Sequence, residues 1–208
     1  MTQTRSTKHL AALALLVGTT VACGDVVRQT DSPVSLVVTS LTAGQGRTGG
    51  STVFSGVLLS DVITNVTQPP PCSVTSPCQT YFDDIGQITV SSAMKDITVA
   101  PTANNVVTLS RYHVTYRRAD GRNTPGVDVP YPFDGAVTLT VVGGGSATAT
   151  FEIVRHVAKL ETPLVQLQSN GTVITTLADV TFYGADRVGN GVSVTGSIQI
   201  NFGNFADQ

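Results

Sequence analysis

The sequence predicts an all-β protein, a β-sandwich with Greek-key connections. Three observations point there. Apolar residues recur at every second position in segment after segment, helical periodicity is nearly absent, and Gly, Asn and Asp clusters separate the alternating runs. Charged residues make up only 12% of the chain against 41% hydrophobic, a balance that excludes a wholly disordered chain.

The first residues, MTQTRSTKH, carry Arg5 and Lys8 and no acid, and they lead into apolar Leu10 to Val17 and the small-residue stretch Gly18 to Ala22. A charged start, a short apolar run and a small-residue region are the three parts of a cleavable export signal, predicted over residues 1–22. The apolar run falls short of the about 20 residues that a spanning helix needs. Thr20-Val21-Ala22-Cys23-Gly24 then resembles the lipobox of bacterial lipoproteins, with Thr20 standing where that family usually carries Leu, Val or Ile. The resemblance implies cleavage before Cys23 and several acyl chains on Cys23. Several chains anchor stably where one binds only marginally. Gly24 after the cysteine implies, by the same resemblance, sorting to the outer membrane in a cell that has one.

Residues 23–33 read as a polar tether, and residues 34–208 as a single sandwich domain. The alternative is two small β domains parted near residues 101–105. Loss of Arg5 and Lys8 takes the Lys and Arg total from 12 to 10 against 14 acids, a net charge near −4. Such a chain does not attract nucleic acid.

Strands are predicted over Val34 to Leu41, Val53 to Leu59, Ile85 to Ser92, Val106 to Arg117 and Val173 to Tyr183, the last broken near Ala178. Within Val106 to Arg117 the apolar phase switches, from Val107 and Leu109 to Tyr112, Val114 and Tyr116, so a β-bulge or break is expected near Ser110. Val137, Leu139 and Val141 alternate with threonines, as do Ala147, Ala149, Phe151 and Ile153 with Thr148, Thr150 and Glu152. Gly143-Gly144-Gly145 between the two runs predicts a hairpin. His156 to Leu167 is the one plausible helical segment, and Pro163 limits it to about a turn.

In Val192 to Phe202, Val192, Val194, Ile198, Ile200 and Phe202 share one face, the mark of a strand buried on one side. The preceding stretch, Val180 to Asn190, resembles the penultimate strand and D-x-x-G-N turn of bacterial immunoglobulin-like repeats. There the turn leads into a final alternating strand, so the resemblance implies an immunoglobulin-like sandwich.

With Cys23 lipidated, Cys72 and Cys78 remain, in the Pro- and Ser-rich segment PPPCSVTSPC. A local disulfide is the simplest reading in an exported protein. A C-x5-C metal or redox site is the alternative, without CxxC spacing or a histidine nearby.

Candidate chemistry is sparse. No G-x-S-x-G elbow, HExxH or P-loop pattern occurs. His113 falls on the polar parity of its strand, and His156 follows a strand; both read as surface residues. A hard cation such as calcium would draw on carboxylates in turns. Asp83-Asp84, Asp120 with Asn123, and Asp186 with Asn190 are the candidates, and each also suits plain turn chemistry. Tyr131, between Pro130 and Pro132, and Phe133, directly after Pro132, form the best contact loop, VDVPYPFDG, unless their rings fold back over the core.

These observations predict a non-catalytic structural or interaction lipoprotein on the cell envelope, with no cofactor. Its expected partners are the membrane, through Cys23, and an envelope protein or glycan. The rival is a ligand-binding lipoprotein that captures a glycan or calcium through its loops.

Overall fold

A computed structural model describes residues 32–47 and 52–205. The predicted signal segment and Cys23 lie outside the described residues. Ten strands follow in order: β1 (Val34–Gly44), β2 (Val57–Asp61), β3 (Thr64–Val66), β4 (Cys78–Thr80), β5 (Asp84–Met94), β6 (Val107–Arg117), β7 (Phe133–Val141), β8 (Ser146–Val154), β9 (Ile174–Asp186) and β10 (Gly191–Gly203). A one-turn helix, α1 (His156–Lys159), and a 3-10 segment, Leu164–Ser169, connect β8 to β9. Among the described residues helix is confined to this short stretch, where Pro163 interrupts it, as the sequence predicts.

Two sheets pack face to face. One holds β1-β5-β8 and the other β2-β10-β9-β6-β7, while β3 and β4 pair separately. All pairings are antiparallel except β2 beside β10. Strands from both sides of residues 101–105 contribute to both sheets.

The period-2 pattern sets which side chains meet inside. Ile88 and Val90 of β5 face Val107, Leu109, Val114, Val180, Phe182, Ile198 and Ile200 of the larger sheet, all buried. At one end of this core Tyr112 stands edge-on to Phe151 (5.0 Å between centroids), and Phe151 edge-on to Phe182 (5.1 Å). Such edge-to-face contacts add about 0.5–1.5 kcal/mol each beyond the area they bury. Two glycines make room for the rings: a Cβ on Gly86 would stand 2.5 Å from Phe151, and one on Gly135 would stand 2.2 Å from Tyr112.

The register between β6 and both its neighbours shifts between Leu109 and Arg111, the bulge that the phase switch at Ser110 predicts. Three expectations are corrected. β9 runs unbroken through Ala178, whose small side chain sits between Tyr116 and Ile198 of the flanking strands. The second strand starts at Val57, not Val53, after an isolated bridge from Ser55 to Ala43. The Gly143–Gly145 turn does not make a hydrogen-bonded hairpin; it carries the chain from β7 in one sheet to β8 in the other, and β7 pairs with β6 instead. Both strands must cover the core from opposite sides, with Val137, Leu139 and Val141 on one layer and Phe151 and Ile153 on the other.

Candidate functional site

The sandwich has two ends, and chemistry gathers at one. β1 starts beside the end of β5, Val34 opposite Met94, and β5 starts at the other end, Asp84 opposite Val154 of β8. That second end carries the loop after β6 and the α1 connection, because the Tyr116 hydroxyl near the end of β6 donates to the Ile153 carbonyl at 2.7 Å.

Asp83 immediately precedes β5 and Asp84 begins it, and the two point to opposite sides, as successive residues of extended chain do. Asp84 turns inward with no exposed surface and accepts from Ser60 Oγ (2.6 Å), Gly46 N–H (3.0 Å) and Lys159 Nζ (3.1 Å). Burial pushes its carboxyl upward, and the Lys159 ammonium and the Ser60 and Gly46 donors pull it back. Asp83 turns outward, where its Oδ1 accepts from the His156 backbone N–H (2.5 Å) and from its Nδ1 (2.7 Å). Residues three apart share a face of a helix. So α1 straddles the Asp83-Asp84 step, His156 on one carboxylate and Lys159 on the other, and Asp83 caps the helix start from a distant segment.

Glu152 completes the group. The β5–β8 register slips between Asp84 and Ile85, leaving Ile153 as an extra residue on β8. Bulges re-aim side chains, and here donor atoms of Asp83, Glu152 and His156 come within 4.8 Å of one another. Glu152 is pushed up to about 7, first by burial and then by hydrogen bonding and repulsion from Asp83, against Arg155 and His156. Asp83 moves the other way: burial raises it, but bonds from His156 and Glu152 outweigh that and hold it below the usual range. The two carboxyls therefore titrate as a pair, Glu152 keeping its proton to higher pH than Asp83. Beside them the Arg155 guanidinium lies 4.6 Å over the Phe133 ring, with its Nε buried and without a hydrogen-bond partner.

This arrangement has a pH signature. The folded chain holds a proton on Glu152 between its ordinary 4.5 and about 7, where the unfolded chain does not. The stability this contributes is fully present below 4.5 and lost as pH rises through about 7. Melting temperature is therefore expected to slope downward across that window, and Glu152→Gln to flatten the slope; an unchanged slope would exclude the proton held on Glu152.

The other sequence candidates are dispersed. Asp120 sits in the loop after β6, clasped by Arg118 (2.7 Å) and Arg122 (3.0 Å), which together hold it down at about 2. Asn123 accepts from the Arg118 backbone N–H (2.6 Å). Asp186 and Asn190 lie at the opposite end of the larger sheet, where Asp186 accepts from Val188 and Asn190 backbone N–H groups and from Asn190 Nδ2. These carboxylates already have several donors each, the turn chemistry that was one of their two readings. His113 pairs with Asp134 across β6 and β7, its Nδ1 at 3.1 Å. Tyr131 is 49% exposed, its ring against the backbone of Gly126, which takes φ +75°, while Phe133 is 7% exposed and starts β7.

Cys72 and Cys78 form a disulfide, with Cα atoms 5.3 Å apart. It closes a small loop whose middle is braced by reciprocal backbone bonds between Ser73 and Ser76. In the chain-entropy picture a loop this short restrains the unfolded state by about 2 kcal/mol. Replacing both cysteines by serine is expected to lower unfolding free energy by no more than about that amount. Urea titration measures it, and unreduced peptide mapping reads the link directly.

Glu152 and the role of His156 escape local reading. Glu152 looks like any outward residue of an alternating strand, and its partner Asp83 is 69 positions earlier in the sequence. The available signals were the doubled acid before a strand and His156 and Lys159 at helical spacing. Comparison with protein-family models, curated proteins and solved structures finds no match.

Proposed function

We propose that the chain is an exported lipoprotein, held to the outer membrane by lipid on Cys23, and that its sandwich is an immunoglobulin-like Greek key acting as a non-catalytic interaction module. The single observation that carries the reading is the lipobox-like Thr20-Val21-Ala22-Cys23-Gly24 after a short apolar run, and the place where the described chain enters the sandwich adds a direction to it. Ser32, nine residues after Cys23, is buried against the fold, and its side chain bonds Asp186 at the end where β1 begins. Nine residues reach at most about 32 Å. The 11-residue β5 then spans roughly 34 Å to the opposite end. That far end, with Asp83, Glu152, His156, Arg122 and exposed Tyr131, is turned toward whatever approaches from outside.

The immunoglobulin-like assignment draws on strand order. The chain crosses between the sheets after β1, again from β2 by way of β3 and β4 to β5, and then after β5, β7 and β8, as Greek-key sandwiches do. The last strand lies between the ninth and a parallel early strand, β2. The non-catalytic part draws on the two described histidines, His113 and His156, each paired with a carboxylate.

Lipidated protein in vesicles tests the orientation. With a dye at Val188 in one sample and at Arg122 in another, energy transfer to an acceptor in the bilayer should be stronger from Val188. Equal or reversed transfer would contradict it.

A further inference from the structure

We propose that Asp83, Glu152 and His156 form a binding site for one divalent cation of the zinc class. The inference stands independently of whether Cys23 carries lipid. Three separate segments deliver the donors: the residue before β5, the bulged end of β8 and the first residue of α1. Each is fixed from behind. The buried Asp84–Lys159 pair locks Asp83 and α1 to each other, and the Tyr116 hydroxyl pins the bulge at Ile153.

The donor set selects the ion. Two carboxylate oxygens and an imidazole nitrogen suit zinc and its neighbours, whereas calcium collects six to eight oxygens. Zinc holds such donors at about 2.1 Å, so tetrahedral ligands stand roughly 3.4 Å apart. The three donor atoms already lie within 4.8 Å of one another, and side-chain rotation closes the remainder. Three protein ligands leave a fourth position for water.

Charge favours the same conclusion. Asp83 and Glu152 crowd two carboxyls into one place, and a cation relieves the repulsion that a proton on Glu152 otherwise relieves. Arg155 also faces Glu152 and opposes a second cation, but its guanidinium is drawn over Phe133.

Calorimetric titration of the chelator-treated full chain with zinc chloride should show one ion per chain. Glu152→Gln and His156→Gln should each weaken binding at least about tenfold, the loss that even supporting residues around a metal produce. His113→Gln, at the other histidine–carboxylate pair, should leave it unchanged. Cobalt-loaded native protein provides a reading that needs no variant: one histidine ring N–H should be shifted far from the diamagnetic range. No saturable zinc binding, binding that survives both substitutions, or calcium competing as strongly as zinc would overturn the proposal.

Discussion

Lys159→Met is expected to cost the fold about 3–5 kcal/mol, the range for removing one partner of a buried ion pair. Lys159 is 1% exposed and Asp84 fully buried, so the loss leaves a carboxylate in the interior with only Ser60 and Gly46 to serve it. The same pair joins β5 to α1, and with Ser60 it reaches β2. Unfolding in urea measures the effect as a lower midpoint. Adding Asp84→Leu should return part of the loss, since an apolar pair of similar volume no longer strands a charge. Recovery should stay incomplete because the Ser60 hydroxyl and Gly46 N–H lose their acceptor. A single substitution that leaves the midpoint within about 0.5 kcal/mol, the range for surface changes, would show that the pair is not buried in solution.

Phe133→Ala and Tyr131→Ala are expected to separate sharply. Phe133 packs edge-on to Tyr112 at 6.2 Å and carries the Arg155 guanidinium on its face. Its truncation should cost about 3 kcal/mol or more. Tyr131 is half exposed, and its loss should cost less than about 1 kcal/mol. If Tyr131 serves recognition at the far end, its substitution should reduce recovery of the native partner while the melting temperature holds. Equal stability losses from the two would contradict the division between a ring that closes the core and a ring that meets the outside.

The strands were legible because a half-buried strand leaves its period in the sequence, and β5 to β10 do so. Even the bulge at Ser110 could be read, since it flips the parity of Val107 and Leu109 against Tyr112 and Val114. β3 and β4 left no such trace. They have three residues each, and their place depends on the disulfide-closed loop between them. The glycine run at residues 143–145 signals a turn but not whether the chain returns to the same sheet. That choice belongs to the core, which needs β8 opposite β7.

The candidate site was hidden for a different reason. Asp83, Glu152 and His156 meet only through the β5–β8 register, and a one-residue slip at Ile153 decides where Glu152 points. Lys159 reads in the sequence as a solvated charge, yet it is among the largest fully buried side chains. No local pattern marks a lysine for burial when its partner lies 75 residues away.

Export and anchoring through Cys23 form the central claim, and the intact mass of the chain extracted from bacterial membranes tests it most directly. The expected species begins at Cys23 and carries the added mass of several acyl chains, and Cys23→Ala leaves unlipidated protein that partitions into the aqueous phase. A membrane-bound chain that lacks lipid mass, or that stays bound after Cys23→Ala, would contradict the account.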